Sequence, residues 1–360
     1  MQKEKKKILY VVEAMGGGVF THLVTLANGL CDEFDITLAY GLRNETPTEL
    51  SKHFDPRVKL VRIQNFTREI RFCKDQKAAK ELKKLIKELQ PDIVHLHSSK
   101  AGALGRLRFR TTHYKLFYTP HGYSFLMEDI NSFKRRSYKN IERLFGKKDC
   151  LTVACGKGEW LVSQTVTKNT TYINNGINTK EIDQILAGET TDHEEFTVCT
   201  LGRMGYQKNP ALFNELATRL PDVKFVWVGD GELRDELTSP NITKVGWVSR
   251  EESLRILNKS DVFVLTSRWE GLPMSLIEAM YIKKPCVVSD VIGNAEMVVN
   301  DITGYICRDT DEFVKKINKV RKEPNKEMVE RAYELVINNY TDVGFCKKYR
   351  ELYRKYIDEE

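Results

Sequence analysis

The chain has 360 residues, 41% hydrophobic and 30% charged. Those values describe a globular protein with room for two separate cores and exclude extensive disorder. The charge is uneven: residues 1–150 hold 29 Lys+Arg against 17 Asp+Glu, a net +12, while the remainder carries −5, which suits either one half facing an anionic partner or a solvated charged face.

From the N-terminus, the apolar run 8–12 behind a basic stretch is too short for a signal-peptide core, and no run approaches the roughly 20 residues of a membrane span. A cytoplasmic protein is expected. The eight cysteines are scattered without a Cys-x-x-Cys pair, which suits reduced thiols. Short apolar runs then recur at 34–40, 58–63, 92–97, 115–119, 150–155 and 171–174, and again at 196–201, 223–229, 242–246, 261–266 and 285–289. They lack period-2 alternation, so each predicts a strand buried on both faces of a parallel sheet. Helical spacing separates them, as in Phe20, Leu23, Val24, Ala27 and Leu30, or Leu82, Leu85, Ile86 and Leu89. This is βαβ grammar given twice.

The polar stretch 175–195 reads as a hinge. The predicted organisation is therefore an N-terminal domain over 1–178, a linker over 179–195 and a C-terminal domain over 196–339. A final helix over 340–360 (Phe345, Tyr349, Leu352, Tyr356) is expected to cross back to the first domain. Two doubly wound domains facing each other place a ligand cleft along the carboxyl ends of both sheets.

The densest chemistry lies at 266–285, TSRWEGLPMSLIEAMYIKKP, where Glu270 and Glu278 flank a Gly-Leu-Pro turn after the apolar run 262–265. Pro273 suits the first position of a helix, leaving Leu272 as an N-cap with no side-chain acceptor to offer. A helix start of that kind at a strand end is an anion site. Taken alone, a turn solvated by water or by Ser275 explains the stretch equally well. Arg203 and Lys208, however, lie five residues apart in the loop LGRMGYQKNP (201–210), where they can clasp a diphosphate as a fork and a point charge. The turn VGDGEL (228–233) lets backbone approach a base closely.

Together these motifs resemble the retaining glycosyltransferases of family 4, which have the GT-B architecture. The matching residues are Gly202-Arg203, Lys208-Asn209-Pro210, Gly229-Asp230-Gly231, Val245-Gly246-Trp247, Glu270-Gly271-Leu272-Pro273, Glu278-Ala279-Met280 and Asp290, Gly293-Asn294, Glu296. In the first half they are Gly16-Gly17-Gly18, PDIVHLHS (91–98), TPHGYSF (119–125) and NNGIN (174–178). The resemblance covers nearly the whole chain, and in that family the two acids form an E-x7-E motif. It implies an α/β protein of two Rossmann-like domains and an enzyme that uses a nucleotide sugar, with a UDP-sugar as the default donor. It also implies that Arg203 and Lys208 hold the donor diphosphate, that Gly16 and Gly17 offer it backbone N–H groups, and that the backbone of Gly271, Leu272, Pro273, Met274 and Ser275 completes the cradle. Glu270 takes sugar hydroxyls, Glu278 takes the ribose and His121 touches the sugar near the reacting carbon. Gly229, Val245 and Trp247 fall to the rest of the donor. His121, Glu270, Arg203 and Lys208 are thus the implied catalytic set, with no cofactor.

Asp230-Gly231-Glu232 sits in the glycine turn and reads as structural. His95 and His97 share one face of a strand, but no third ligand is visible, so they are read as cleft-lining or core residues and no metal is expected. Gly16–Gly18 lacks the G-x-G-x-x-G spacing of a dehydrogenase.

Basic residues crowd 68–87 (Arg68, Arg71, Lys74, Lys77, Lys80, Lys83, Lys84, Lys87), and Arg106, Arg108 and Arg110 alternate with Leu107 and Phe109. Such stretches suit an anionic leaflet, with a charged helix face of ordinary solvation as the alternative. The expectation is a peripheral enzyme on the inner face of the membrane, with a polyprenyl-diphosphate-linked acceptor and no nucleic-acid partner. The alternatives are a non-catalytic, nucleotide-binding regulatory protein of the same fold and, more distantly, a GT-B epimerase, whose acid–base pair is not found.

Overall fold

A computed structural model describes residues 4–13, 15–43, 46–67, 71–109, 113–128, 130–191 and 194–358. The chain forms two compact units, one of Met1–Gly176 with Asp342–Glu360 and one of Ile177–Thr341.

The first unit runs β1 (Lys7–Val12), α1 (Gly17–Leu30), β2 (Asp35–Tyr40), β3 (Lys59–Arg62), α2 (Phe72–Leu89), β4 (Ile93–His97), α3 (Ser99–Arg108), β5 (Lys115–Thr119), α4 (Ser132–Phe145), β6 (Leu151–Ala154), α5 (Lys157–Ser163) and β7 (Thr170–Tyr172). Its seven strands lie in the order β3-β2-β1-β4-β5-β6-β7, and every paired strand is parallel. Continuous apolar strands such as β1 are buried along almost their whole length, because helices cover both faces of the sheet.

The second unit runs α6 (Thr179–Leu186), β8 (Thr197–Leu201), α7 (Pro210–Arg219), β9 (Lys224–Val228), β10 (Ile242–Gly246), α8 (Arg250–Asn258), β11 (Val262–Leu265), α9 (Met274–Tyr281), β12 (Cys286–Ser289), α10 (Ile292–Met297), β13 (Tyr305–Cys307), α11 (Thr310–Lys322) and α12 (Lys326–Asn339). The strand order is β10-β9-β8-β11-β12-β13, again parallel throughout. The chain then returns to the first unit as α13 (Asp342–Asp358), whose Phe345, Cys346, Tyr349 and Tyr353 are buried in the core that also holds Leu23, Leu26 and Leu30 of α1.

Two parallel α/β sheets are what the apolar runs predict, with three differences. The edge strand β13 has three residues, too short to register as a run. The segment expected as a linker is partly folded: α6 belongs to the second unit, where Asp183 accepts a hydrogen bond from the Tyr281 hydroxyl at 2.7 Å.

The third difference concerns the basic-apolar stretch 106–110, which is not an exposed ribbon. Arg106 and Arg108 end α3, and Arg106 is buried, stacked over Tyr118 at 3.9 Å and paired with Glu142 of α4 at 2.9 Å. Arg110 and Arg68 lie outside the described residues. Breaking one side of a buried pair leaves an uncompensated charge, so Arg106→Ala is expected to lower stability by about 3–5 kcal/mol in urea unfolding. Arg106→Met combined with Glu142→Leu should recover most of that loss.

Candidate functional site

In the second unit the strand order reverses between β8 and β11, so the loops that follow these two strands meet beside one another at the carboxyl edge. The loop after β8 carries Arg203 and Lys208, and the loop after β11 carries Glu270. They are tied together by backbone: the Thr266 hydroxyl donates to the Lys208 carbonyl at 2.7 Å, and the Arg268 N–H donates to the Gln207 carbonyl at 2.8 Å. Across this junction the Lys208 ammonium lies 2.6 Å from Glu270 Oε1. The Ser267 hydroxyl donates to the same oxygen at 2.6 Å, and Gln207 Nε2 donates to the Trp269 carbonyl at 2.9 Å. Glu270 is therefore a buried carboxylate of fixed orientation.

Arg203 points to Glu232 instead, at 2.9 Å, in a pair that is 30% and 51% exposed. The glycine turn after β9 is zipped to the same loop, with Met204 N–H donating to the Asp230 carbonyl at 3.0 Å. A β-carbon at Gly229 would meet the Gly202 carbonyl oxygen at 2.2 Å, and its φ of +127° is closed to other residues. Trp247, just beyond β10, is half exposed, and Val245 is partly buried.

Helix α9 begins at Met274 and not one residue earlier. Pro273 is its N-cap, with extended ψ of 119°, and makes no side-chain cap hydrogen bond; Leu272 is buried in the preceding turn. The absent cap persists, although the residue in that place differs from the one expected. A β-carbon at Gly293 of α10 would strike the Gly271 carbonyl oxygen at 2.4 Å, so only glycine lets α10 come this near the Glu270–Gly271 turn. Glu278 lies on the buried face of α9 and accepts from Arg250 of α8, which also approaches Glu181 of α6 at 3.4 Å. Burial works against the Arg250 charge, but Glu278 and Glu181 more than offset it and raise its pKa. Among the described residues, Arg250 Nη2 has no hydrogen-bond partner.

The first unit reverses between β1 and β4. There Glu13, buried just beyond β1, accepts from Arg43 at 2.7 Å and from the Ser98 hydroxyl after β4. Helix α1 starts at Gly17 with Gly16 as an extended N-cap that makes no side-chain cap hydrogen bond. Beyond β5, His121 sits at a φ of +54°, a left-handed conformation that is strained for a residue with a β-carbon. The Gly122 N–H donates to Glu159 Oε1 at 2.6 Å, and the Cys155 N–H donates to Glu159 Oε2 at 2.8 Å, which pins the turn. His121 Nε2 is 3.0 Å from His97 Nδ1, and its Nδ1 is 3.3 Å from Cys155 Sγ. His22 of α1 meets the His121 ring edge-on at 4.6 Å and bonds Asn175 at 2.9 Å. His95 is spanned by the Tyr353 hydroxyl at 2.7 Å and the Thr119 hydroxyl at 2.9 Å. The pKa values of all four histidines are pulled down by burial, that of His22 to about 4. His22, His121 and Cys155 also bring ligand-capable atoms within 4.8 Å of one another, a trio that sequence spacing does not reveal.

Of the residues expected at the site, Arg203, Lys208, Gly229 and Glu270 with the 271–275 turn thus gather at the carboxyl edge of the second unit. Glu278 is engaged by Arg250, while Gly16, Gly17 and His121 belong to the first unit. Glu13, Glu159 and Arg250 escape sequence reading. Each is a polar residue whose partner is brought to it by the fold.

The family model described as "Glycosyl transferases group 1" matches residues 181–335, and that described as "Glycosyltransferase Family 4" matches residues 16–181. The chain is 30% identical over 361 residues to UDP-Gal:alpha-D-GlcNAc-diphosphoundecaprenol alpha-1,3-galactosyltransferase of Escherichia coli, covering 89% of each chain. It is 27% identical over 350 residues to GalNAc-alpha-(1->4)-GalNAc-alpha-(1->3)-diNAcBac-PP-undecaprenol alpha-1,4-N-acetyl-D-galactosaminyltransferase of Campylobacter jejuni, covering 91% of this chain and 92% of that one. In three dimensions it is similar to sucrose-phosphate synthase from Thermosynechococcus elongatus, with a TM-score of 0.84 at 17% identity, over 99% of this chain and 100% of that one. At that identity the likeness speaks for the fold alone.

The histidine cluster makes stability depend on pH with a definite sign. His22 takes a proton near pH 6.5 when unfolded and near 4 when folded. Between those values the unfolded chain holds more protons, so stability is full above about 6.5 and is lost as the pH falls toward 4. The melting temperature is expected to drop from pH 7 to about pH 5, with a shallower drop in His22→Gln. A melting temperature that stays level over this range would contradict a neutral buried cluster.

Proposed function

The chain belongs to the glycosyltransferases of group 1 and family 4, and from that premise we propose that it moves a sugar from a UDP-sugar, with retention at the anomeric carbon, to a polyprenyl-diphosphate-linked glycan at the inner face of the membrane. It is a glycosyltransferase of polysaccharide synthesis with the GT-B fold. The observation that supports the finer reading is the Lys208–Glu270 pair at the strand reversal of the second unit.

In this reading the bond between C1 of the sugar and the β-phosphate oxygen breaks, and its electron pair leaves with UDP. The acceptor hydroxyl bonds C1 on the same face, and its proton passes to the departing phosphate oxygen. Charge thus grows on the diphosphate while the sugar becomes oxocarbenium-like, and pre-placed cations stabilise that change. Lys208 fits this task because its ammonium has three donors, so the bond to Glu270 and a bond to phosphate are compatible. Arg203 fits because its present partner is easily displaced: an exposed pair such as Arg203–Glu232 is worth about 0–1 kcal/mol. Uncapped N–H groups at the start of α9 complete the cradle, and Gly16 and Gly17 add theirs. Glu270 takes sugar hydroxyls, Glu278 the ribose, and Gly229, Val245 and Trp247 the remainder of the nucleotide. His121 meets the sugar close to C1. The cations of the chain carry the leaving group, and no metal is needed. The E. coli relative supplies the analogy for both donor and acceptor: its name specifies UDP-Gal and a diphosphoundecaprenol-linked sugar.

Lys208→Ala is expected to lower kcat/KM for transfer to a lipid-linked acceptor by about 10²–10³-fold. Undiminished transfer would remove the phosphate clasp. UDP, unlike GDP or ADP, should raise the melting temperature, since a ligand that binds the native state alone stabilises it.

A further inference from the structure

Helix α4 differs from the other basic helix of the first unit in having two apolar faces. One packs inward through Phe145 and the partly buried Tyr138, with Glu142 held by Arg106. The other faces outward: Phe133, Ile141 and Leu144 lie on one helical stripe and are 80%, 43% and 60% exposed. Single exposed apolar residues are ordinary, but three aligned on one stripe are a surface. Cations flank it on both sides, Lys134 on one and Arg136 and Arg143 on the other, with Arg135 and Lys139 further round. The sole acid of the helix, Glu142, is buried in its pair with Arg106. Beside α4 lies a cavity of about 420 Å³ whose lining combines Phe125, Leu126 and Val162 with Arg135, Arg136 and Lys139, next to Ser132 and Thr165. Apolar and basic side chains in one lining match a phosphate attached to hydrocarbon.

The contrast with α2 shows why α4 is the better candidate. Helix α2 turns Ala78, Ala79 and Leu82 into the core, its exposed Phe72 stands singly at its N-terminal end, and its lysines share the helix with Asp75, Glu81 and Glu88. That is a solvated charged face.

We infer that α4 is the element through which the chain docks on an anionic phospholipid leaflet. Phe133, Ile141 and Leu144 enter the headgroup zone, and Lys134, Arg135, Arg136, Lys139 and Arg143 meet lipid phosphates. The inference rests on the membrane-surface part of the function proposed above, and specifies the surface that makes contact.

Sedimentation of the full chain with phosphatidylglycerol-containing or pure phosphatidylcholine vesicles tests it. Wild type should prefer the anionic vesicles. Each basic residue near such a surface contributes about 1 kcal/mol, so Arg135→Glu with Arg136→Glu should weaken binding about tenfold or more. Phe133→Ser with Leu144→Ser should do likewise by removing the buried hydrocarbon. Lys80→Glu with Lys84→Glu on α2 should bind nearly as wild type. The UDP-induced melting shift should be unchanged in all three variants, which separates failure of docking from failure of the donor site. Absent preference for anionic vesicles, or loss of binding in the α2 variant with α4 variants unaffected, overturns the inference.

Discussion

A sheet whose strands all run one way delivers every carboxyl end to the same edge, and both sheets of this protein obey that constraint. Helices cover the two faces, so the strands can hold little except apolar residues, and polar chemistry is displaced to the loops at that edge. Where the strand order reverses, two such loops diverge to opposite faces and leave room between them. In the second unit that gap receives Lys208 from one side and Glu270 from the other. In the first, Glu13 and Ser98 meet in the equivalent place. The site residues follow from topology before any question of their chemistry arises.

The polar groups at the second edge are paired, and their burial sorts the pairs by function. Lys208–Glu270 and Arg250–Glu278 are largely shielded from water, and separating either would strand a charge. Such pairs serve to hold geometry. Arg203–Glu232 is open to solvent, so a ligand phosphate competes with Glu232 on favourable terms. The proposed function uses both kinds: fixed carboxylates to read hydroxyls, and a cation whose exposed pair can be exchanged for phosphate. In the proposed function Glu232, which in sequence looks like part of a structural glycine turn, is the carboxylate that Arg203 leaves for phosphate.

The fold is legible in the sequence wherever a strand is long enough to show as an apolar run, which explains why β1 and β8 are plain and β13 is not. The start of α9 shows a different limit. Proline fixes φ but not ψ, so the sequence at Leu272-Pro273-Met274 allows the helix to begin at Pro273 or at Met274, and the structure begins it at Met274. Glu270 and Lys208 are legible because motif spacing marks them. Arg250 is not, because nothing in a helix start reading Ser-Arg-Glu-Glu announces that its arginine is buried against an acid 28 residues later. The strained His121 and the carboxylate of Glu159 that pins its turn are likewise products of tertiary packing.

Charge is the property that sequence reports most accurately and places least well. The basic excess of residues 1–150 is real, yet its contributors have unlike fates. Arg106 is consumed inside the core by Glu142, and the α2 lysines are interspersed with acids over an inward apolar row. On α4 the cations border three outward apolar side chains, and its acid is already spent on Arg106. The buried pair thus does two things: it anchors the inner face of α4, and it withdraws the one negative charge from a helix whose outer face then presents cations and apolar side chains with Ser137 and Asn140 among them. An electrostatic count along the chain cannot separate these cases, because a cation buried in an ion pair and one exposed to solvent count equally toward net charge, yet only the exposed one charges the surface.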